Sequence, residues 1–216
     1  MAVREASLQV IYANMVQEAI GRLNAAQGFI ASYEMTKRLP ELESAVLQVR
    51  KSLEAIALAS IAPNKAQYAA FRAMSTDAPD YTKDYHAGKI FKALEKINKN
   101  FYPVALLPAV RRPDGTHHFG RKQSGFLSKK RFESVYDRLG KYLHAHNPWG
   151  TEKHLHNLAN ELPSVIDQAF GLLELHVTFI RTPEFKGAWV VEASKTGGPP
   201  RVITSVANGD YAVQDS

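Results

Sequence analysis

Apolar residues recur at steps of three and four along the first third of the chain, the spacing that places them on one face of an α-helix. The pattern extends from about residue 5 to residue 33 and returns from Pro40 to Pro63, with glutamates just after Pro40 as in a first helical turn. Because the connection between the two segments is short, we expect an antiparallel pair of long helices.

The same spacing predicts further helices beyond this pair. A short one covers residues 67–74, and a longer one with its lysines outward covers residues 87–102. Another begins after Ser128, whose side chain suits an N-cap, and the last follows Thr151 and is kinked or restarted at Pro163. Between these helices, a segment rich in proline and glycine predicts a long connection with short strands.

The periodicity changes near His176 to β-branched and aromatic runs that are separated by turn residues. The predicted fold is therefore mainly α, a helical bundle with a small C-terminal antiparallel β-sheet. We assign residues 1–175 to the helical bundle domain and residues 176–206 to a β appendage packed on it. Residues 207–216 are expected to form a flexible tail.

Several classes of protein are excluded by what the sequence lacks. No apolar run is long enough to cross a bilayer, and the first residues lack the apolar core of a signal peptide, so we expect a cytoplasmic protein without a membrane partner. The absence of cysteine excludes disulfides and thiolate nucleophiles. Neither a phosphate-binding glycine loop nor a pair of histidines at metal-binding spacing is present, so no cofactor and no metal is predicted.

The positive charge of the chain is concentrated in its middle. Residues 64–131 contain fourteen basic and five acidic side chains, a surplus of nine, whereas the net charge of the whole chain is +6. Such a region attracts phosphates and is typical of nucleic-acid binding, although a solvated lysine-rich face produces the same count.

Residues 117–131 of this region combine cations with aromatic side chains. The cations are candidates for phosphate contacts, and Phe126 is a candidate for stacking on an unpaired base. A solvated loop without a ligand is the alternative interpretation. The candidate cations are Arg121, Lys122, Lys129, Lys130 and Arg131.

The helix after Ser128 ends in a stretch with one arginine and two histidines, Arg138, His144 and His146. On an unbroken helix His144 lies about 120° around from Arg138, and His146 lies about 80° from it. Either histidine can approach the arginine if the helix ends near His144, as the following Asn-Pro-Trp-Gly predicts. Alternatively, Arg138 pairs with an acid and the histidines interact with the last carbonyls of the helix.

The spacing of Arg138 and His144 on a late helix resembles the HEPN superfamily, whose signature is an arginine, four to six residues and a histidine. The stretch from Val49 to Ala57, VRKSLEAIA, resembles a segment common on an early helix of that superfamily. The resemblance implies a metal-independent endoribonuclease in which two protomers form one composite site. Arg138 and His144 would be its catalytic residues, with His146 as a competing candidate.

Physical chemistry is compatible with such a site. A histidine transfers protons near neutral pH, and an arginine stabilises negative charge on a phosphorane. Some members of the superfamily have lost nuclease activity, so an inactive RNA-binding descendant is also compatible with the resemblance. The alternative from a different class is a non-enzymatic helical module that binds a protein partner.

Overall fold

The computed structural model describes residues 7–75, 79–144, 149, 155–181 and 186–206. His146, Thr151 and the predicted tail at 207–216 lie outside these residues. The helices, in chain order, are α1 (Leu8–Thr36), α2 (Leu39–Ala59), α3 (Lys65–Ala73), α4 (Ala87–Ile97), α5 (Lys129–Tyr142) and α6 (Leu155–Leu173). The mainly helical fold is thus confirmed, and α6 is one helix with Pro163 inside it, so the helix does not restart at that residue.

The first two helices form the predicted antiparallel pair. The hydroxyl of Ser7 accepts a hydrogen bond from the backbone of Val10 at the start of α1, and Lys37 ends that helix in a left-handed conformation. Pro40 lies in the first turn of α2, where its missing N–H costs nothing. Between the helices, the buried Ser52 hydroxyl donates to the carbonyl of Ala19 at 3.0 Å.

The strands form two antiparallel sheets. In chain order, the strands are β1 (Val104–Ala105), β2 (Val110–Arg111), β3 (His117–His118), β4 (Leu175–Arg181), β5 (Lys186–Glu192) and β6 (Arg201–Val206). The larger sheet has the order β1-β4-β5-β6, and the smaller pairs β2 with β3. The sheet predicted from the C-terminal pattern therefore gains β1 from the long connection in the middle of the chain.

The inner face of the larger sheet shares one core with the helices. Ile180, Trp189 and Val191 are buried in the same apolar cluster as the helical stripes. The ring of Trp189 meets that of Tyr12 on α1 edge to face at 5.7 Å between centroids. Within the described part of the chain, no helix is long and apolar enough to cross a membrane.

The basic connection before α5 is held against both the sheet and α6. The backbone N–H of Lys122 donates to Ala105 on β1 at 2.9 Å, and that of Leu127 donates to Gln168 on α6 at 2.7 Å. At Gly171 the two backbones are so close that an added Cβ would lie 1.9 Å from the carbonyl oxygen of Gly125. Only a glycine fits at position 171 without moving the connection.

We predict that Gly171→Ala lowers the free energy of unfolding by about 2–4 kcal/mol, because the methyl group forces the connection away from α6. Urea denaturation followed by circular dichroism measures the change. Gly21→Ala on α1 is the matched control, since an added Cβ there meets nothing within 4 Å. It should be neutral or stabilise by up to about 1 kcal/mol. Equal stabilities of the two variants would contradict the close approach.

His176 is a fully buried histidine with both ring nitrogens hydrogen-bonded. Its Nε2 lies 2.8 Å from the hydroxyl of Tyr12, and its Nδ1 lies 3.1 Å from the carbonyl of Leu173. Since the carbonyl only accepts, Nδ1 carries the proton and Nε2 accepts from Tyr12. Burial lowers the pKa of His176 to about 4, and the hydrogen bond to Leu173 opposes this effect. His176 therefore has a structural role in the neutral form.

We predict that the free energy of unfolding falls as the pH is lowered from about 6.5 to about 4. In this range His176 is protonated in the unfolded chain but stays neutral in the folded chain. The contribution of this residue is on the order of 3 kcal/mol. Urea titrations across this range should show a shallower pH dependence for His176→Gln than for the unchanged protein. The exposed His118 provides a control, and His118→Gln should retain the full dependence. An unchanged slope in His176→Gln would contradict the prediction.

Candidate functional site

Helix α5 carries the candidate catalytic arginine and has two polar flanks around an apolar face. The side chain of Ser128 caps its start by accepting from the backbone N–H of Arg131, as predicted. Its core residues recur at helical spacing and bury against the bundle. They are Phe132, Val135, Tyr136 and Leu139.

Arg138 is held by an acid on the neighbouring helix. The carboxylate of Glu161 on α6 accepts from Arg138 and also from Arg131, which lies two turns earlier on α5. Burial by itself would raise the pKa of Glu161, but the hydrogen bonds from Arg138 and Arg131 outweigh it and lower this pKa below its usual value. The carboxylate thus remains charged at neutral pH and positions both guanidinium groups.

Part of the Arg138 guanidinium remains available for a ligand. The side chain is 38% exposed. Its Nε is buried without a hydrogen-bond partner among the described residues, so a ligand reaches the exposed part of the side chain and not that atom. The exposed part of an oriented guanidinium suits an anionic oxygen, because its N–H groups donate charge-assisted hydrogen bonds. Arg138 was interpreted either as a catalytic residue or as the partner of an acid. The acid partner is present, and the exposed part of the side chain can still contact an anion.

His144 lies just beyond the end of α5. The helix ends at Tyr142, with Leu143 as its C-cap, and the side chain of His144 is exposed. The helical angle of 120° between Arg138 and His144 therefore does not describe their relation, because the chain has left the helix. His146, the competing candidate, falls outside the described residues.

A second polar cluster joins α2 to the opposite flank of α5. Arg50 donates from Nη1 to the carbonyl of Tyr136 and from Nη2 to its hydroxyl, both at 2.9 Å. The Tyr136 hydroxyl in turn donates to Glu54 at 3.1 Å. Burial raises the pKa of Tyr136 to about 12; the charge of Glu54 adds to this effect and Arg50 opposes it. The tyrosine therefore stays protonated and keeps its hydrogen bond to Glu54.

Gly140 makes room for this cluster. A Cβ at this position would lie 2.7 Å from Nη1 of Arg50. Arg50 and Glu54 lie within VRKSLEAIA, and no partner for either was predicted from the sequence. Their spacing of four residues on a helix was a signal for an ion pair, whereas Tyr136 was not foreseeable because it lies 86 residues away from Arg50.

Most of the predicted RNA-binding cations have partners within the protein. Lys129 pairs with Glu95 and Glu133, Arg131 pairs with Glu161, and Lys122 donates from Nζ to the carbonyl of Gly171. These cations hold the connection and α5 to the bundle.

The remaining members of the predicted set differ in exposure. Lys130 is exposed, whereas Arg121 is only partly exposed and its backbone forms a β-bridge with Leu106. Phe126 packs against the main core, so its ring is not displayed as a stacking platform. The structure therefore brings this segment close to α6 and α5 but leaves little of its charge unneutralised.

No protein-family model, curated protein or solved structure matches this chain. The resemblance to HEPN proteins thus remains an expectation from the sequence, carried by Arg138, His144 and the stretch from Val49 to Ala57.

We predict that Glu161→Gln lowers the free energy of unfolding by about 1–2 kcal/mol at pH 7, because two partly buried arginines lose their charged partner. The pKa of Glu161 is depressed in the folded state, so its contribution is present above the ordinary carboxyl pKa and disappears as the pH falls through the lowered value. Denaturant titrations at neutral and acidic pH measure the difference.

Glu18→Gln is the matched control for Glu161→Gln. Glu18 pairs with Arg22 on the surface of α1 and is 43% exposed, so its loss should change stability by less than about 0.5 kcal/mol. A Glu161→Gln protein as stable as this control at pH 7 would show that the α5–α6 ion pairs contribute nothing measurable.

Proposed function

We propose that the protein is a HEPN-like, metal-independent endoribonuclease that cleaves RNA with Arg138 and His144. The observation that carries the proposal is the state of Arg138: its guanidinium is oriented by Glu161, and more than a third of its side chain is exposed. The same helix leads within two residues to the exposed His144. An oriented cation and a titratable group at one helix end are the components that RNA transesterification requires.

In the proposed reaction, the ribose 2′-oxygen attacks the adjacent phosphorus and the bond from phosphorus to the 5′-oxygen breaks. The proton leaves the 2′-hydroxyl, and another proton is delivered to the departing 5′-oxygen. Imidazole performs either transfer near neutral pH, and two copies of His144 perform both in a site built by two protomers. Arg138 stabilises the charge that develops on the phosphorane oxygens. The products are a 2′,3′-cyclic phosphate and a 5′-hydroxyl.

An inactive descendant that only binds RNA would retain the basic surface without this reaction. A non-enzymatic module that binds a protein partner is the second candidate function. It is favoured by exposed apolar side chains that are close to His144 in the sequence, since Trp149 is 91% exposed and Leu143 is 36% exposed. Exposed tryptophan is typical of protein interfaces, including those between two copies of one chain.

We predict that purified protein cleaves mixed RNA in the presence of a chelator and that His144→Ala reduces the rate by about 10²- to 10⁴-fold. Arg138→Lys should also be strongly impaired, because an ammonium group lacks the planar fork. Analysis of the ends should show 2′,3′-cyclic phosphates. Circular dichroism verifies that each variant remains folded.

Two histidine variants serve as controls for this experiment. His118→Ala removes an exposed histidine from β3 and should leave cleavage unchanged. His146→Ala decides between the two candidate histidines and should have a much smaller effect than His144→Ala. Full activity in His144→Ala with loss in His146→Ala would move the site by two residues. An absence of cleavage, together with a dimer that Trp149→Ala dissociates, would favour the interaction module.

A further inference from the structure

The outer face of α4 carries a stripe of lysines. Lys89, Lys92 and Lys96 are spaced by three and four residues, and Lys99 follows two residues beyond the end of the helix at Ile97; all four are exposed. On ideal helical geometry the three lysines within the helix fall within an arc of about 60°. The opposite face of α4 is anchored in the core by Ile90, Phe91 and Leu94, so the stripe is presented on a rigid element. These four residues are called the α4 stripe below.

The charges of the α4 stripe are not neutralised by the protein. Within the described part of the chain, none of its four lysines forms an ion pair with an acidic side chain. Glu95, the acidic residue on the same outer face of α4, pairs with Lys129 at 2.6 Å. Lys122, Lys129 and Arg131 near the start of α5 thus have partners within the protein, whereas the α4 stripe can contact an external anion.

An exposed aromatic side chain lies at one end of the α4 stripe. Tyr85 precedes Lys89 by four residues and is 73% exposed, which is unusual for a large aromatic residue in a chain with an extensive core. A tyrosine ring beside a row of lysines combines a stacking surface with phosphate-binding cations. Phe126 was predicted to supply the stacking surface, but its ring packs against the main core.

The position of α4 relates the stripe to the candidate catalytic helix. Glu95 near the end of α4 contacts Lys129 at the start of α5, while the backbone N–H of Ala87 at the start of α4 lies 3.4 Å from the hydroxyl of Tyr136. The two helices are therefore antiparallel. The Tyr85 end of the stripe lies toward the half of α5 that carries Arg138 and precedes His144.

The α4 stripe and Arg138 lie on different flanks of α5. On ideal helical geometry Arg138 is about 200° around α5 from Tyr136, whose flank meets α4. The exposed face of α5 lies between these flanks and carries Lys130 and Lys141 together with the acidic Glu133 and Asp137. A strand bound along α4 would cross this face to reach Arg138.

We propose that the α4 stripe and Tyr85 form a binding site for single-stranded RNA, with lysines on successive phosphates and the tyrosine ring on one base. The proposal rests on the proposed function in taking RNA as the ligand, and it identifies α4 as the surface that holds the substrate. Lysine contacts phosphate as a point charge without reading sequence, so we expect binding with little sequence preference. Unpaired RNA is favoured over a duplex because a ring can stack only on a base that is not already stacked.

The test measures binding separately from cleavage. A short labelled RNA with 2′-O-methyl riboses lacks the attacking hydroxyl and stays intact, and fluorescence anisotropy reports its affinity across a salt series. The triple variant Lys89→Gln, Lys92→Gln, Lys96→Gln should bind at least about tenfold more weakly, with a salt dependence shallower by about 2 in log–log slope. Tyr85→Ala should weaken binding by about tenfold with an unchanged slope.

A charge-matched variant controls for the loss of three positive charges. Lys37→Gln, Lys51→Gln, Lys195→Gln removes three exposed lysines from other parts of the surface and should bind like the unchanged protein. Equal weakening of both triple variants would overturn the proposal, because only net charge would then matter. Binding to vesicles rich in phosphatidylserine that depends on the α4 stripe, without affinity for RNA, would overturn it in favour of a membrane surface.

Failure of the inference and failure of the proposed function have different signatures. Cleavage that requires His144, combined with unchanged RNA affinity and cleavage in the α4 triple variant, would refute the α4 site and leave the nuclease intact. Binding that requires the α4 stripe, without any cleavage, would support the site and refute the nuclease.

Discussion

The packing of α1 between α2 and the inner face of the larger sheet is the constraint on which the rest of the structure depends. Its apolar stripe, which includes Val16, Ile20 and Leu23, is buried in the common core. On the sheet side, the ring of Tyr12 packs against that of Trp189, and its hydroxyl donates a hydrogen bond to the buried His176. Since apolar burial is the dominant favourable contribution to folding, this one helix couples the bundle to the C-terminal strands, which could not bury their inner face alone.

Helix α5 is positioned by polar contacts on both of its flanks. On one side Arg50 donates hydrogen bonds to the carbonyl and the hydroxyl of Tyr136, and Gly140 leaves space for the guanidinium of Arg50. On the other side Glu161 holds Arg138 and Arg131. Partly buried charges of this kind are stable only when they are paired, so each flank resists rotation of α5 about its axis. Such a helix keeps the guanidinium of Arg138 in a fixed direction up to its end at Tyr142.

The structure divides the basic middle of the chain into two groups of cations. Those close to α5 satisfy carboxylates and carbonyls of the protein itself, as Lys129 and Lys122 do. Those on α4 point to solvent and sit on a helix whose other side is fully apolar. The difference matters because a cation that is already paired with a carboxylate attracts a phosphate only weakly. A row of lysines without acidic partners raises the electrostatic potential along its whole length.

The sequence by itself determined the helices, the strands near the C-terminus and the end of α5, because periodicity, caps and turn residues act over a few neighbouring positions. It also singled out Arg138 and His144 by residue type and spacing. The tertiary structure was needed to show that β1 joins the sheet, that Arg138 meets Glu161 and that Arg50 meets Tyr136. It was also needed to show that Lys122, Lys129 and Arg131 have partners within the protein. These outcomes depend on partners far apart in the chain, and local patterns carry no information about which distant side chain will occupy a shared space.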